Sequence, residues 1–355
     1  MKKIIFHFPK DFGNLESASS VRPYKMYKSF LENGYDVFLL AGNAKERSRK
    51  FRLLKEKNDI KKYSFCYSEP STYPVHPILD YKIYFYLKRN KIPIGVYYRD
   101  AYWKFKDYFK KKGAKKIFLK ARYRADFSVF NHTASTIFFQ SDSFSKLFET
   151  KTKKEILPPA GEIKNNYFYE KKDREPLNGI YVGGVSKRYG TDILLKGFSI
   201  LNKTQKANLK IICRKDEYQR EVSIIKPFLR EKWLSIYHKT EKELQNLYKD
   251  SDFGIIPLKI DSYNPMILPV KLFEYLSYEL PVVVTNCKEV ASFVKKNKIG
   301  LICDDSSKSL AGAVSEIIKN REKYEKIREN ILPTLRAGNL WEDRVKKIDE
   351  LLTKR

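Results

Sequence analysis

Pro269-Val-Lys271-Leu-Phe-Glu274-Tyr275-Leu-Ser-Tyr-Glu-Leu-Pro281-Val-Val-Val-Thr285 is the stretch that decides how this 355-residue chain folds. Pro269 suits the first turn of a helix, where a missing N–H is no loss, and Pro281 ends that helix before a valine run fit for a buried strand. Lys271 and Glu274 stand three apart in the first turns and therefore share a face. The N-terminus of a helix supplies free N–H groups and positive potential, and Lys271 adds a full charge. Glu274 can accept from both hydroxyls of a ribose, which completes a set suited to a nucleoside diphosphate. The plainer alternative is an i,i+3 surface pair.

Working outward, strands are expected at Gly179–Val182, Leu209–Cys213, Leu234–Tyr237 and Phe253–Pro257, with a helix at Glu241–Lys249 before the last of them. Such alternation reads as a Rossmann-like unit. The N-terminal half starts in the same way. Ile4–Phe8 is apolar, Asp11–Ser20 is rich in Gly, Asn and Ser, Tyr24–Asn33 is helical in pattern, Gly34 suits a C-cap, and Tyr35–Ala41 is apolar again. Further strands are expected at Lys61–Tyr67, Ile94–Tyr98, Phe127–Asn131 and Thr136–Gln140. Leu157-Pro158-Pro159-Ala160-Gly161 and the polar stretch to Pro176 read as a linker. The length suits two cores rather than one. The expected fold is α/β: two Rossmann-like domains facing across a cleft, at 1–160 and 161–335, with a C-terminal helix in 336–355.

Hydrophobic residues make up 42% of the chain, which excludes disorder. Cys66, Cys213, Cys287 and Cys303 are scattered without metal-ligand spacing, so reduced, structural thiols and a cytoplasmic location are expected. The N-terminal apolar stretch is too short for a signal peptide, and no run approaches the roughly 18 apolar residues of a membrane span. The formal net charge of +29 calls for polyanionic partners, unless it reflects only a lysine-rich proteome. From Lys104 to Arg124 ten Lys/Arg face one acid, interleaved with Phe105, Tyr108, Phe109, Ile117, Phe118 and Leu119. This composition suits an amphipathic segment on an anionic membrane surface, at the inner face of the plasma membrane, or an ordinary solvated basic face. On the membrane reading a polyprenyl-linked glycan would be a partner met at that surface. No aromatic-plus-basic RNA-binding signature is present, which argues against nucleic acid.

The pattern Pro-x-Lys-x-x-Glu-Tyr-Leu-Ser followed by Pro-Val-Val-Val resembles the donor-binding signature of GT-B glycosyltransferases of group 1, or family 4-like. The resemblance implies that Glu274 binds the ribose and Lys271 the phosphates of a sugar nucleotide, with UDP favoured. Many members carry two glutamates eight apart; the earlier position here is Met266, which leaves donor sugar and stereochemistry open. Gly183-Gly184-Val-Ser186-Lys187-Arg188 follows the first strand of the second half and is similar to the family's phosphate loop. Its glycines let a phosphate approach the backbone and its cations neutralise it. Arg214, at a strand end, either reaches a phosphate or stays solvated. His238 falls in the family's base-binding loop. In the first half, Gly13–Ser20 with Arg22 resembles the acceptor-side loop, with Arg22 either facing the donor phosphates or starting a helix at the surface. Arg99 and Asp100 follow an apolar strand. Asp100 is the candidate general base of an inverting transfer, and a helix N-cap paired with Arg99 is the alternative. In a retaining enzyme Asp100 would position the acceptor. The implied reaction is hexosyl transfer from a nucleoside-diphosphate sugar to an acceptor hydroxyl in glycan or polysaccharide assembly. No cofactor is expected, and no D-x-D motif stands where it could bind a metal. The alternatives are a sugar-nucleotide epimerase or hydrolase, and a non-catalytic GT-B-like subunit. The resemblance also implies that the helix near Trp341 returns to the N-terminal domain.

Overall fold

Apolar runs spaced by amphipathic helices fold, in a computed structural model of the protein, into two α/β units, described over residues 1–11, 18–57, 59–164, 176–239 and 241–354. The first comprises Met1–Pro158 with Trp341–Arg355, and the second Pro159–Leu340. Six strands build the first sheet: β1 (Lys3–Phe8), β2 (Asp36–Ala41), β3 (Tyr63–Ser68), β4 (Ile94–Tyr97), β5 (Thr136–Phe139) and β6 (Lys153–Ile156), in the order β2-β1-β3-β4-β5-β6. Every pair is parallel, in register from Lys3↔Asp36 to Phe8↔Ala41 between β1 and β2. Parallel strands need crossover helices, which cover both faces and require continuous apolar strands. Ile4, Ile5, Phe6 and Phe8 are accordingly fully buried.

The second sheet comprises β7 (Leu177–Val182), β8 (Ala207–Ile212), β9 (Leu234–Tyr237), β10 (Phe253–Ile256), β11 (Val282–Thr285) and β12 (Gly300–Cys303). The order β12-β11-β10-β7-β8-β9 is the doubly wound Rossmann order read from its far edge. One apolar cluster, with Leu194, Phe198, Leu310 and Val314, covers one side, and another, with Leu272, Phe273, Tyr275 and Leu276, covers the other. The expected α/β class with two Rossmann-like domains is what the chain adopts.

The sequence reading needs two local corrections. Phe127–Asn131, expected as a strand, lies within the helix Gly113–Thr133. Burial there recurs at Tyr123, Asp126, Phe130 and Thr133, a helical period into which the Phe-Ser-Val-Phe run falls by chance. The first helix spans Ala18–Glu32, so Arg22 and Pro23 lie inside it rather than ahead of it. The C-terminal helical tail is interrupted between Arg336 and Trp341, and the helix Trp341–Thr353 packs with the first unit. There Arg344 Nε donates to the Pro158 carbonyl at 2.9 Å, and Lys347 Nζ donates to that of Ile156 at 2.9 Å. Among the described residues no helix is long and apolar enough to cross a membrane.

A buried polar clasp ties the first unit together. Arg47 Nε and Nη2 donate to the two carboxylate oxygens of Asp80 at 2.9 and 2.8 Å. The His76 N–H adds a third bond to that carboxylate at 2.8 Å, and His7 Nε2 lies 3.3 Å from it. His7 Nδ1 in turn meets Ser68 Oγ at 2.8 Å. Burial alone would raise the Asp80 carboxyl, but the bonds from His7 and Arg47 outweigh it and hold the group at about 2. Asp80→Asn leaves Arg47 buried and unpaired, so it is expected to lower stability by about 3–5 kcal/mol in guanidinium titrations at neutral pH. A depressed carboxylate stabilises above its unfolded pKa of about 4 and ceases to do so as pH falls through its folded value. The gap between wild type and variant should therefore close between about pH 4 and pH 2.

Candidate functional site

In the second sheet β7 and β10 are neighbours whose connections leave in opposite directions, the position at which α/β sheets open a crevice. Their pairing stops at Gly254↔Ile180, and the strands part beyond it. The Tyr275 hydroxyl bridges the gap, accepting from the Val182 N–H at 3.0 Å and donating to the Ile255 carbonyl at 3.3 Å. Tyr275 belongs to the helix Val270–Ser277, whose N-cap is Pro269 in extended conformation, so that helix begins at the crevice.

Lys271, the second residue of that helix, points back over the loop that follows β7. Its ammonium lies 4.1 Å from the Tyr181 ring centroid and 2.5 Å from where a Cβ on Gly183 would stand. Gly183 also has φ +148°, a conformation that other residues avoid, so the backbone demands glycine there. Among the described residues no hydrogen-bond or ion-pair partner holds the Lys271 ammonium. Burial pushes it down to about 7, against the opposing charges of Glu274 and Glu217. Glu274, one turn on, accepts from the Tyr248 hydroxyl at 3.2 Å. Tyr248 is itself fixed by stacking on Tyr278, with centroids 4.7 Å apart and planes at 15°.

The structure thus gathers Gly183, Gly184, Lys271 and Glu274 at one sheet edge, and it places the other expected donor residues around them in different roles. Arg214 pairs with Glu217, which raises its pKa, and the Glu217 carboxylate lies 3.1 Å from a Cβ built on Gly184. Lys187 is exposed on a single 3₁₀ turn. Arg188 is half-buried, 5.1 Å from the Tyr189 ring centroid, and its carbonyl accepts from Asn264 Nδ2 at 3.1 Å. His238 Nδ1 donates to the Cys213 carbonyl at 2.9 Å, with its ring against Tyr218.

In the first unit, β1 and β3 flank the corresponding switch, and the residue that sequence reasoning missed is Glu69. It follows β3, is fully buried, and accepts from the Tyr67 hydroxyl at 2.9 Å, from Arg99 Nη2 at 3.1 Å and from Arg22 Nη1. Arg22 is not a surface residue at a helix start: it is 3% exposed, with its guanidinium 3.3 Å from the Tyr97 ring centroid. Burial opposes its charge, but Glu69 more than restores it and raises the pKa. Arg22 is an interior ion-pair partner that shares the Glu69 carboxylate with Arg99. Asp100 is half-buried and accepts from Thr72 Oγ1 at 2.6 Å. It caps no helix, because Ala101 holds the cap position of the following 3₁₀ turn. Gly13 lies outside the described residues. Tyr181, Tyr248 and Tyr275 also escaped the sequence reading, since a tyrosine in an apolar run looks like core. No group of three or more His, Cys, Asp or Glu side chains set to hold a metal ion occurs among the described residues.

A lysine that titrates near 7 makes anion binding depend on pH. Below that value Lys271 is charged before the ligand arrives, and above it the ligand must recruit a proton. The affinity of this edge for an anion, with inorganic pyrophosphate as the probe, is therefore expected to fall by up to about tenfold per unit as pH rises above 7. Calorimetry at pH 6 and pH 8 checks this, and Lys271→Met should flatten the dependence. Gly183→Ala, which forces a methyl onto the ammonium, is expected to weaken the same binding about tenfold or more.

Residues 163–332 match the family of glycosyl transferases group 1. Over 95 residues the chain is 30% identical to TuaH of Bacillus subtilis (strain 168), assigned to teichuronic acid biosynthesis as a glycosyltransferase. That match spans 26% of this chain and 24% of the relative's length. HepE from Anabaena, solved with UDP and glucose, superposes with a TM-score of 0.68 at 13% identity over 100% of both chains. Sucrose-phosphate synthase from Thermosynechococcus elongatus gives 0.67 at 12% identity, over 99% of this chain and 98% of its own. A sequence match on the unit that carries the Lys271–Glu274 edge, joined to a fold shared along the full length, makes this a chain of GT-B fold whose second unit matches the glycosyl transferases group 1 family.

Proposed function

We propose that the chain transfers a hexosyl group from a nucleoside-diphosphate sugar, with UDP as the favoured carrier, to an acceptor hydroxyl in cell-surface polysaccharide or glycan assembly. The observation that carries this reading is the Lys271 ammonium, which has no acceptor among the described residues and is poised over the Gly183 backbone one helical turn from the Glu274 carboxylate. A diphosphate supplies the missing anion, and the helix N-terminus supplies free N–H groups beside it. Glu274, oriented by Tyr248, receives the ribose hydroxyls. When the bond from the anomeric carbon to the diphosphate breaks, negative charge grows on the leaving oxygens. Lys271 and the helix terminus offset it, so neither a divalent metal nor a cofactor is required. The acceptor oxygen forms the new bond and Asp100 takes its proton, as in an inverting transfer. UDP bound to HepE and the teichuronic acid assignment of TuaH support the carrier and the polysaccharide context. Four buried, unpaired cysteines support a cytoplasmic setting.

Titration of UDP, GDP, CMP and ADP into the protein with EDTA present tests the reading. One diphosphate should bind, and Glu274→Ala should weaken it at least about tenfold. If none binds and the variant is indistinguishable, the donor site is refuted. Asp100→Asn should lower kcat about 100-fold while leaving diphosphate affinity unchanged; a kcat within a few-fold of wild type would remove Asp100 from the chemistry.

A further inference from the structure

The helix Gly113–Thr133 is 21 residues long, yet the first buried side chain along it is Tyr123. Its first ten residues, about 15 Å of helix, hold no fully buried side chain: Lys116, Leu119, Lys120 and Arg122 are half-buried and the rest are exposed. This half is nevertheless apolar in places: Ile117 is 73% exposed and Phe118 61%. It is also charged against its own dipole. Lys110, Lys111, Lys112, Lys115, Lys116 and Lys120 crowd the positive end, the first turn holds no acid, and Lys112 in the cap position makes no capping bond. A helical segment packed only along a half-buried stripe, with no side-chain cap and with repelling charges, is weakly held in water. Beside it, the loop bearing Tyr73, 63% exposed, is tied to the same helix. Arg122 Nη2 donates to the Val75 carbonyl at 2.6 Å, and the Tyr123 hydroxyl donates to that of Thr72 at 3.1 Å. Three exposed apolar or aromatic side chains and six lysines thus belong to one end of the first unit.

We propose that this end docks on an anionic lipid surface, with Ile117 and Phe118 entering the boundary between headgroups and acyl chains and the lysines among the phosphates. A bilayer of this kind supplies what the segment lacks: negative charge at the dipole's positive end and an apolar layer about 5–10 Å deep. Tyr73 suits the interface, where an aromatic ring with a polar tip is favoured. A nucleic acid would satisfy the lysines but would leave Ile117 and Phe118 in water, so the exposed apolar pair selects lipid. The inference uses no residue of the donor site and stands whether or not the transfer reading does.

Co-sedimentation with phosphatidylcholine vesicles, with and without an equal part of phosphatidylglycerol, tests it. Binding is expected only with phosphatidylglycerol and should weaken about tenfold as salt rises from 50 to roughly 300 mM. The double variant Ile117→Ser, Phe118→Ser should bind at least about tenfold more weakly while its thermal unfolding, followed by circular dichroism, is unchanged. Ile117→Trp, which keeps the helix and adds an interfacial ring, should bind more tightly. Equal binding to both vesicle types overturns the proposal. So does a serine variant that binds like wild type, and so does a single-stranded RNA that competes fully while the apolar substitutions change nothing.

Discussion

The Lys271 ammonium occupies the space that any side chain at position 183 would need, and the edge of the second sheet is organised around that exclusion. A lysine is seldom placed this deep without a carboxylate in hydrogen-bonding contact, because desolvation disfavours its charge. Here the charge is tolerated through weaker means: the face of Tyr181, and the fields of Glu274 and Glu217. The arrangement leaves the ammonium under-compensated and facing a glycine loop. A fully paired lysine would be more comfortable in the empty protein and less able to attract a diphosphate.

This geometry depends on the sheet. In the doubly wound order the first and fourth strands of the unit lie side by side while their connections diverge, so the loops after β7 and β10 meet over one crevice. Gly190 and Pro257 touch so closely there that a Cβ at 190 would overlap the Pro257 carbonyl. Tyr275 spans the parting of the strands and thereby sets the rotation of the helix that carries Lys271 and Glu274. A core tyrosine, one residue from the carboxylate and four from the cation, converts strand spacing into site geometry.

What could be read from the sequence was what repeats locally. Two prolines fence the Val270–Ser277 helix, two glycines mark the loop after β7, and the i,i+3 spacing of Lys271 and Glu274 fixes their common face; each of these needs only neighbours in the chain. What could not be read depends on partners far away in sequence. Arg22 looks like a surface residue until Glu69, 47 positions on, is brought against it by the pairing of β1 with β3. Tyr248 looks like core until its hydroxyl meets Glu274, 26 positions later. Phe127–Asn131 misled for a different reason: a short apolar run has no period of its own, and the helix there is defined by burial on either side of it.

The two sheet edges also show how one topology yields different electrostatics. At the first switch Arg22 and Arg99 both donate to the single carboxylate of Glu69, inside a shell of Tyr67 and Tyr97. A buried pair of this kind is expensive to break and gives a ligand little reason to break it. At the second switch the nearest carboxylate to Lys271 along the helix is Glu274, which accepts from the Tyr248 hydroxyl. One edge binds two guanidiniums to a shared buried carboxylate and gains rigidity; the other holds its lysine through an aromatic face and the fields of two carboxylates that do not bond to it. Asp100, half-buried after β4, accepts from Thr72 Oγ1 and so ties the loop after β3 to the loop after β4.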